Sequence, residues 1–225
     1  QVSLIEKGAQ VMGTLDPDMG VLVSEALREI GVTLYLQESL TGYETSAGTV
    51  TAVVTDQRTI QADLVIVGLG TRPNTGLAKA AGISLGEKGA IKVTPRQQTS
   101  IPTIWAAGDC AESFHLVSKR PFHVALGTVA NKQGTVAGTN LSGGYATFPG
   151  VVGTAVSKIC KFEVARTGLT EREIQVLGLQ YRTAVTKTKT RAGYYPGAGW
   201  IMVKLLAEQG SGRLLGGQIV GLEGA

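Results

Sequence analysis

Apolar and polar positions along the chain fall into two regimes. Up to about residue 149, short β-rich apolar runs alternate with segments of helical period; from about 151 onward, antiparallel-type strands dominate. Val2-Ser-Leu-Ile-Glu6 reads as a short buried strand ending in an acid. In Asp16-Pro17-Asp18, Asp16 stands where it can cap a helix, and Pro17 fills the first turn, where no intrahelical N–H is needed. Met19, Leu22, Val23, Ala26, Leu27 and Ile30 then keep close to a helical period, and Gly31 stops the helix. Strand-like segments follow at 32–36, 39–45 and 48–55, then a Thr55-Asp-Gln-Arg58 turn. Leu64-Val-Ile-Val67 is a continuous β-rich run, the pattern of a strand covered on both faces.

Gly68 to Asn74 is a loop, and a short helix is predicted around 75–81. A second unit starts near Gly82, with strands at 90–93 and Thr103–Ala107, the latter running into Gly108-Asp109. Gly127 to Leu141 reads as a helix, and Gly143-Gly144 and Pro149-Gly150 as a linker. Strands are predicted at 162–167, 180–188, 200–206 and 214–220. Thr170 and Glu173 have the spacing of a capping box. Repeats and low-complexity tracts are absent. The chain opens inside a sheet and stops directly after Gln218-Ile-Val220, so a fragment, incomplete at both ends, is expected.

Composition narrows the classes. A length of 225 residues with 43% hydrophobic content suits a packed protein of one or two domains, and 31 glycines imply many tight turns. The net charge of +4 is spread out; Lys187, Lys189 and Arg191 alternate with threonines as on a solvated strand face, without the stacking aromatics of a nucleic-acid site. No apolar run reaches the roughly 18 residues of a membrane span, and no signal peptide opens the chain. Cys110 and Cys160 lie far apart without metal-ligand or CxxC spacing, which fits a reducing, cytoplasmic setting and no metal site.

Two acids carry candidate chemistry. Glu6 ends a strand, where in a doubly wound nucleotide-binding sheet an acid accepts from ribose hydroxyls and repels a 2′-phosphate; an ordinary solvated strand-end acid is the alternative. Asp109 follows a buried strand and a glycine, which directs a carboxylate toward the crevice where such sheets bind ligands. Gly-Asp also makes ordinary turns.

The full string Thr99-Ser-Ile-Pro-Thr-Ile-Trp-Ala-Ala-Gly-Asp109 resembles the second FAD-binding motif of the pyridine nucleotide-disulfide oxidoreductases. Asp63-Leu-Val-Ile-Val-Gly-Leu-Gly-Thr-Arg-Pro-Asn74 is similar to the segment closing that family's NAD(P)H domain. Phe114–Ser118, Leu126–Gly134, Val164–Thr170 and Ala192–Gly197 resemble the branch of coenzyme A disulfide reductases and NADH oxidases.

The resemblance implies an α/β chain with doubly wound FAD/NAD(P)-binding domains plus an α+β dimerisation domain. Its pieces would be 1–76 (partial NAD(P)H domain), 77–149 (returning segment of the FAD domain) and 150–225 (partial dimerisation domain). It implies FAD and NADH or NADPH as cofactors, with coenzyme A disulfide, a related disulfide or persulfide, or else oxygen or peroxide, as acceptor for a homodimer. The family's first FAD motif and redox cysteine would lie upstream, so a non-catalytic fragment is the third reading. Carried over, Glu6 contacts the NADH ribose, Gly68 and Gly70 line the nicotinamide approach, and Asp109, beside Gly108, binds the ribityl chain. Gly127 and Thr128 present helix amides to the flavin pyrimidine, or simply start a helix. One of Tyr194 and Tyr195 reaches the partner subunit's thiol site, since strand neighbours face opposite ways; interface tyrosines are the alternative. Asn131 and Lys132 contact coenzyme A phosphates or belong to the helix surface. His115 and His123 receive no role, and Cys110, after Asp109, is structural in the family.

Overall fold

The computed structural model describes residues 1–86 and 88–222. They form two compact units: Gln1–Gly68 together with the described residues from Thr154 onward, and Leu69–Gly153.

In the first unit, β1 (Val2–Glu6) is followed by α1 (Pro17–Glu29) and β2 (Val32–Leu36), and the two strands pair in parallel with Leu4 opposite Leu34. Parallel neighbours need a crossover, and α1 supplies it. Next come β3 (Leu40–Ser46), β4 (Thr49–Thr55) and β5 (Thr59–Gln61), an antiparallel sheet in that order. Met19, Val23 and Ala26, spaced i, i+4 and i+7, bury one face of α1. Ile30, predicted to continue that stripe, is exposed at the helix end.

The second unit carries α2 (Gly76–Ala80), a hairpin of β6 (Ser113–His115) and β7 (Arg120–Phe122), and α3 (Gly127–Leu141). Returning to the first unit, β8 (Ala155–Ile159), β9 (Phe162–Gly168), α4 (Glu171–Val176), β10 (Tyr181–Lys189), β11 (Trp200–Glu208) and β12 (Leu214–Gly221) follow in order. Their sheet is antiparallel in the order β10-β11-β12-β9-β8. Phe162, Val164 and Val220 of that sheet share one core with Val11, Leu15, Met19, Val23 and Ala26, so α1 packs on the sheet as well as on β1 and β2.

Several expectations change. Leu64–Val67 is not a strand: it pairs with no strand among the described residues, and Leu64 and Ile66 are 78% and 88% exposed. β-rich composition makes a strand only where a neighbour takes up its N–H and C=O groups. For the same reason 90–93 shrinks to bridges at Ile91, and Thr103–Ala107 to one bridge between Trp105 and Gln98. β5, β6, β7 and β8 appear where no strand was predicted.

The linker reading of 143–150 also changes. Phe148 is buried and its amide donates to Pro95 O at 2.7 Å; just beyond, Val151 exchanges hydrogen bonds with Phe114 and Leu116, each at 2.8 Å. Gly150 makes this docking possible: its φ is +123°, and a Cβ there would run into the Phe114 carbonyl oxygen.

Asp16 occupies the N-cap of α1, but its side chain caps no amide of that helix. Its carboxylate is taken instead by distant partners: Oδ1 accepts from the amide of Glu171, the first residue of α4, at 2.9 Å, and Oδ2 from Gln218 Nε2 at 2.6 Å. The predicted capping box is present: Thr170 Oγ1 accepts from the Glu173 amide, and Glu173 Oε2 accepts from the Thr170 amide. No helix among the described residues is long and apolar enough to cross a membrane.

Candidate functional site

The second unit gathers four of the predicted residues. Gly108 adopts φ +84° and lies against the first turn of α3, where an added Cβ would stand 3.5 Å from Ala130 Cβ. Its amide donates to Gln133 Oε1 at 2.9 Å. Gln133 is fully buried one turn further along α3, and its Nε2 donates to Ser113 Oγ at 2.9 Å and to Glu112 O at 3.2 Å. One side-chain amide thus ties both ends of the Gly108–Ser113 turn to the helix. Asp109, between them, is exposed, and its carbonyl oxygen contacts His123 Nε2 at 2.7 Å. The start of α3 is open: Leu126 gives no side-chain cap, the first turn holds no acid, and the amides of Gly127 and Thr128 find no acceptor among the described residues. That end of a 15-residue helix carries partial positive charge and favours an electron-rich ligand edge.

Near the far end of the helix, buried Asn140 has the same type of role. Its Oδ1 accepts from Arg96 and the Ala146 amide, and its Nδ2 donates to the carbonyls of Arg96, Val136 and Ala146. Asn131 and Lys132 are on the exposed face. Cys110 is half-buried, with Sγ 3.5 Å from Ala107 O. His115 is buried in the hairpin, its Nδ1 accepting from the Ser118 amide at 3.1 Å and its ring edge-on to Phe122.

Glu6, Gly68, Tyr194 and Tyr195 belong to the first unit, and Gly70 lies just inside the second. Glu6 ends β1, and its Oε1 accepts from the Gly8 amide at 2.6 Å, which orients the carboxylate within the turn after the strand. Tyr194 and Tyr195 lie in a turn between β10 and β11, with the Tyr195 amide donating to Ala192 O. They were predicted in a strand with opposed side chains. In the turn their rings stand side by side, 5.2 Å apart, and are 85% and 57% exposed. Gly68 and Gly70 are exposed in the irregular stretch after β5, Gly70 with φ +82°.

One buried charge held by three carboxylates was not anticipated. Lys204 is 2% exposed, and its Nζ stands 2.7 Å from Asp18 Oδ1, 2.9 Å from Glu171 Oε1 and 3.2 Å from Asp16 Oδ2. Burial alone would lower its pKa, but the hydrogen bonds it donates to Asp18, Glu171 and Asp16 outweigh burial and push it above the usual lysine range. Among the described residues no group of three or more His, Cys, Asp or Glu is arranged to hold a metal.

The family model for pyridine nucleotide-disulphide oxidoreductases matches residues 1–134, and that for the dimerisation domain of the same family matches 154–225. The chain belongs to the pyridine nucleotide-disulphide oxidoreductases. It is 40% identical over 223 residues to a Pyrococcus furiosus protein named NAD(P)H sulfur oxidoreductase (CoA-dependent), covering 99% of this chain and 50% of that one. It is 39% identical over 226 residues to a Methanocaldococcus jannaschii NADH oxidase, covering 99% of this chain and 49% of the relative. A solved NAD-dependent persulfide reductase from A. fulgidus superposes with a TM-score of 0.96 at 40% identity, over 99% of this chain and 42% of that one. The chain therefore spans about half the length of the curated relatives it matches. The expected α/β class, nucleotide-binding segments plus an α+β dimerisation domain, holds for this pyridine nucleotide-disulphide oxidoreductase.

Within this family member, the residues that sequence reasoning missed are Gln133, Asn140 and Lys204. The first two had a signal: amides seven positions apart on the apolar stripe Val129, Val136, Ala137 of α3, where an unpaired amide would be costly. Lys204 had only its place in an apolar strand.

Proposed function

We propose that this chain is the coenzyme-side, flavin-side and dimerisation part of an FAD-dependent enzyme about twice its length, which uses NADH to reduce coenzyme A disulfide or a related disulfide or persulfide. The single observation carrying the flavin role is the Gly108–Asp109 turn, tied by Gln133 against the open N-terminus of α3. A positive-φ glycine for close approach, an exposed carboxylate for polyol hydroxyls and two unpaired amides for a pyrimidine edge fit the ribityl and ring portions of FAD. Bound FAD would supply the acceptor for hydride and the donor of an electron pair to a disulfide. Asp109 orients the polyol through hydrogen bonds, and Gly127 and Thr128 stabilise negative charge at the helix start.

Glu6, held by the Gly8 amide, accepts from the adenosine ribose of NADH and repels a 2′-phosphate. Gly68 and Gly70 leave room for the nicotinamide. Tyr194 or Tyr195 of one subunit reaches the thiol site of its partner in a homodimer and donates a phenolic proton there. Residues 1–76, 77–149 and 150–225 act as the NAD(P)H, returning FAD and dimerisation segments of a cytoplasmic enzyme. A second reading, electron transfer to oxygen or peroxide, is favoured by the 39% identity to an NADH oxidase.

The test is an anaerobic NADH titration of the complete enzyme, followed by coenzyme A disulfide or oxygen. Rapid flavin reoxidation by the disulfide, with free thiol appearing, supports the reductase. Reoxidation by oxygen or peroxide alone replaces it with the second reading. A preference for NADPH over NADH would remove the role given to Glu6.

A further inference from the structure

Lys204, Gln218 and Arg166 are direct cross-strand neighbours on β11, β12 and β9: Lys204 stands opposite Gln218, and Gln218 opposite Arg166. Directly opposite residues on adjacent antiparallel strands project from the same face, so the three form one row of hydrogen-bond donors across the sheet. All three reach the same five-residue run of chain, Thr14 to Asp18. Arg166 Nη1 donates to Thr14 O at 2.8 Å. Gln218 brackets Asp16, accepting from its amide at 2.7 Å and donating to its carboxylate at 2.6 Å. Lys204 holds Asp18 and Asp16 from the third strand.

That run closes the loop which starts at Glu6. The loop is itself braced: Gln10 Nε2 donates to Leu15 O at 2.9 Å, and the Gln10 side chain packs where a Cβ on Gly20 of α1 would be. From Glu6 and its bond to the Gly8 amide, through Gln10, to Thr14 and Asp16, each stage is fixed by a named contact. An apolar row could bury the same surface, as it does elsewhere in this core, but it would hold no register along the loop. Directed donors do, because each hydrogen bond requires its acceptor at a set distance and angle.

We propose that the Lys204–Gln218–Arg166 row is a seat for the coenzyme loop, making Lys204 and Gln218 positioning residues for NADH binding. The sheet assigned to dimerisation then has a second task, setting coenzyme affinity from within its own subunit. This inference rests on the reading of Glu6 as the ribose acceptor.

The test compares Lys204→Met, Gln218→Leu and the conservative Lys204→Arg with Glu6→Ala in the complete enzyme, following KM for NADH, kcat at saturating NADH, and amide hydrogen exchange. Lys204→Met and Gln218→Leu should raise KM for NADH by about tenfold or more while kcat stays within about twofold, the pattern of lost coenzyme placement. Exchange should quicken over residues 7–18 by more than in β9, β11 and β12, which lose only the protection set by global stability, and Lys204→Arg should recover part of the KM. Exchange over 7–18 that quickens no more than in the sheet, or an unchanged KM beside a raised KM in Glu6→Ala, overturns the seat and leaves the Glu6 reading standing. An unchanged KM in Glu6→Ala itself removes the Glu6 reading and the seat with it.

Discussion

Gln133 Oε1 accepts a hydrogen bond from the Gly108 amide at 2.9 Å, and through it the helix α3 governs where Asp109 stands. Gln133→Leu keeps the bulk but leaves the Gly108 amide without this acceptor, together with the acceptors that Nε2 served. Each buried polar group stranded in this way costs about 1–3 kcal/mol. Urea unfolding should register that loss, and the complete enzyme should bind FAD about tenfold or more weakly as Asp109 drifts from α3. Unchanged FAD affinity in a well-folded variant would remove Gln133 from the flavin site.

Lys204 makes a second, thermodynamic prediction. Removing it in Lys204→Met leaves buried Asp16 beside Asp18 and Glu171 without their cation, and breaking a buried pair from one side costs about 3–5 kcal/mol. The pH dependence follows from the raised pKa: the folded protein holds this proton more tightly than the unfolded chain. The contribution is therefore complete below the unfolded lysine value of about 10.4 and declines as pH climbs through the folded one. Wild-type stability should show that alkaline decline in urea titrations, and Lys204→Met should lack the part due to this group.

Gly150 and Gly143 both have positive φ, but only Gly150 has an obstructed Cβ position. Gly143→Ala should cost about 1 kcal/mol, the ordinary penalty of left-handed backbone. Gly150→Ala adds a collision with the Phe114 carbonyl oxygen, so its loss should exceed about 2 kcal/mol. Thermal unfolding of the two variants side by side checks the difference.

The tyrosine pair separates folding from turnover. Both rings are exposed in a turn, so Tyr194→Phe and Tyr195→Phe should leave stability within about 0.5 kcal/mol of wild type. The phenol that serves the thiol site should, when removed, slow disulfide turnover by about a hundredfold, at the low end of proton-transfer contributions. If neither variant slows it, the pair belongs to the surface alone.

Local patterns were readable and long-range ones were not. α1, α3 and the capping box of α4 declare themselves through periodicity and spacing within one or two turns. β9 to β12 follow from short β-rich runs bounded by turn residues, and every one of them has a partner in the sheet. The same composition in Leu64–Val67 gives no strand, because strand formation depends on a neighbour that a run of residues does not itself contain. Asp16 was misread for a related reason. Its local context is that of a helix cap, yet the partners that claim its carboxylate lie 155 and 202 residues away. In the candidate site, Gly108, Asp109, Gly127 and Thr128 were legible one by one, whereas Gln133, which ties the first two to the helix, was visible only as an amide on an apolar stripe.

β10 is a nine-residue edge strand with one side unpaired in its sheet, and its side chains are almost all exposed. Such an edge is a template on which a second copy could lay down a strand. Arg182, Lys187 and Lys189 along β10 oppose this: bringing two such strands together crowds like charges in a narrow ribbon. The alternation of threonine with lysine thus acts as a guard against fibre growth, keeping this margin of the molecule dispersed at neutral pH. High salt, which shortens the reach of that repulsion, should be the condition that lowers the guard.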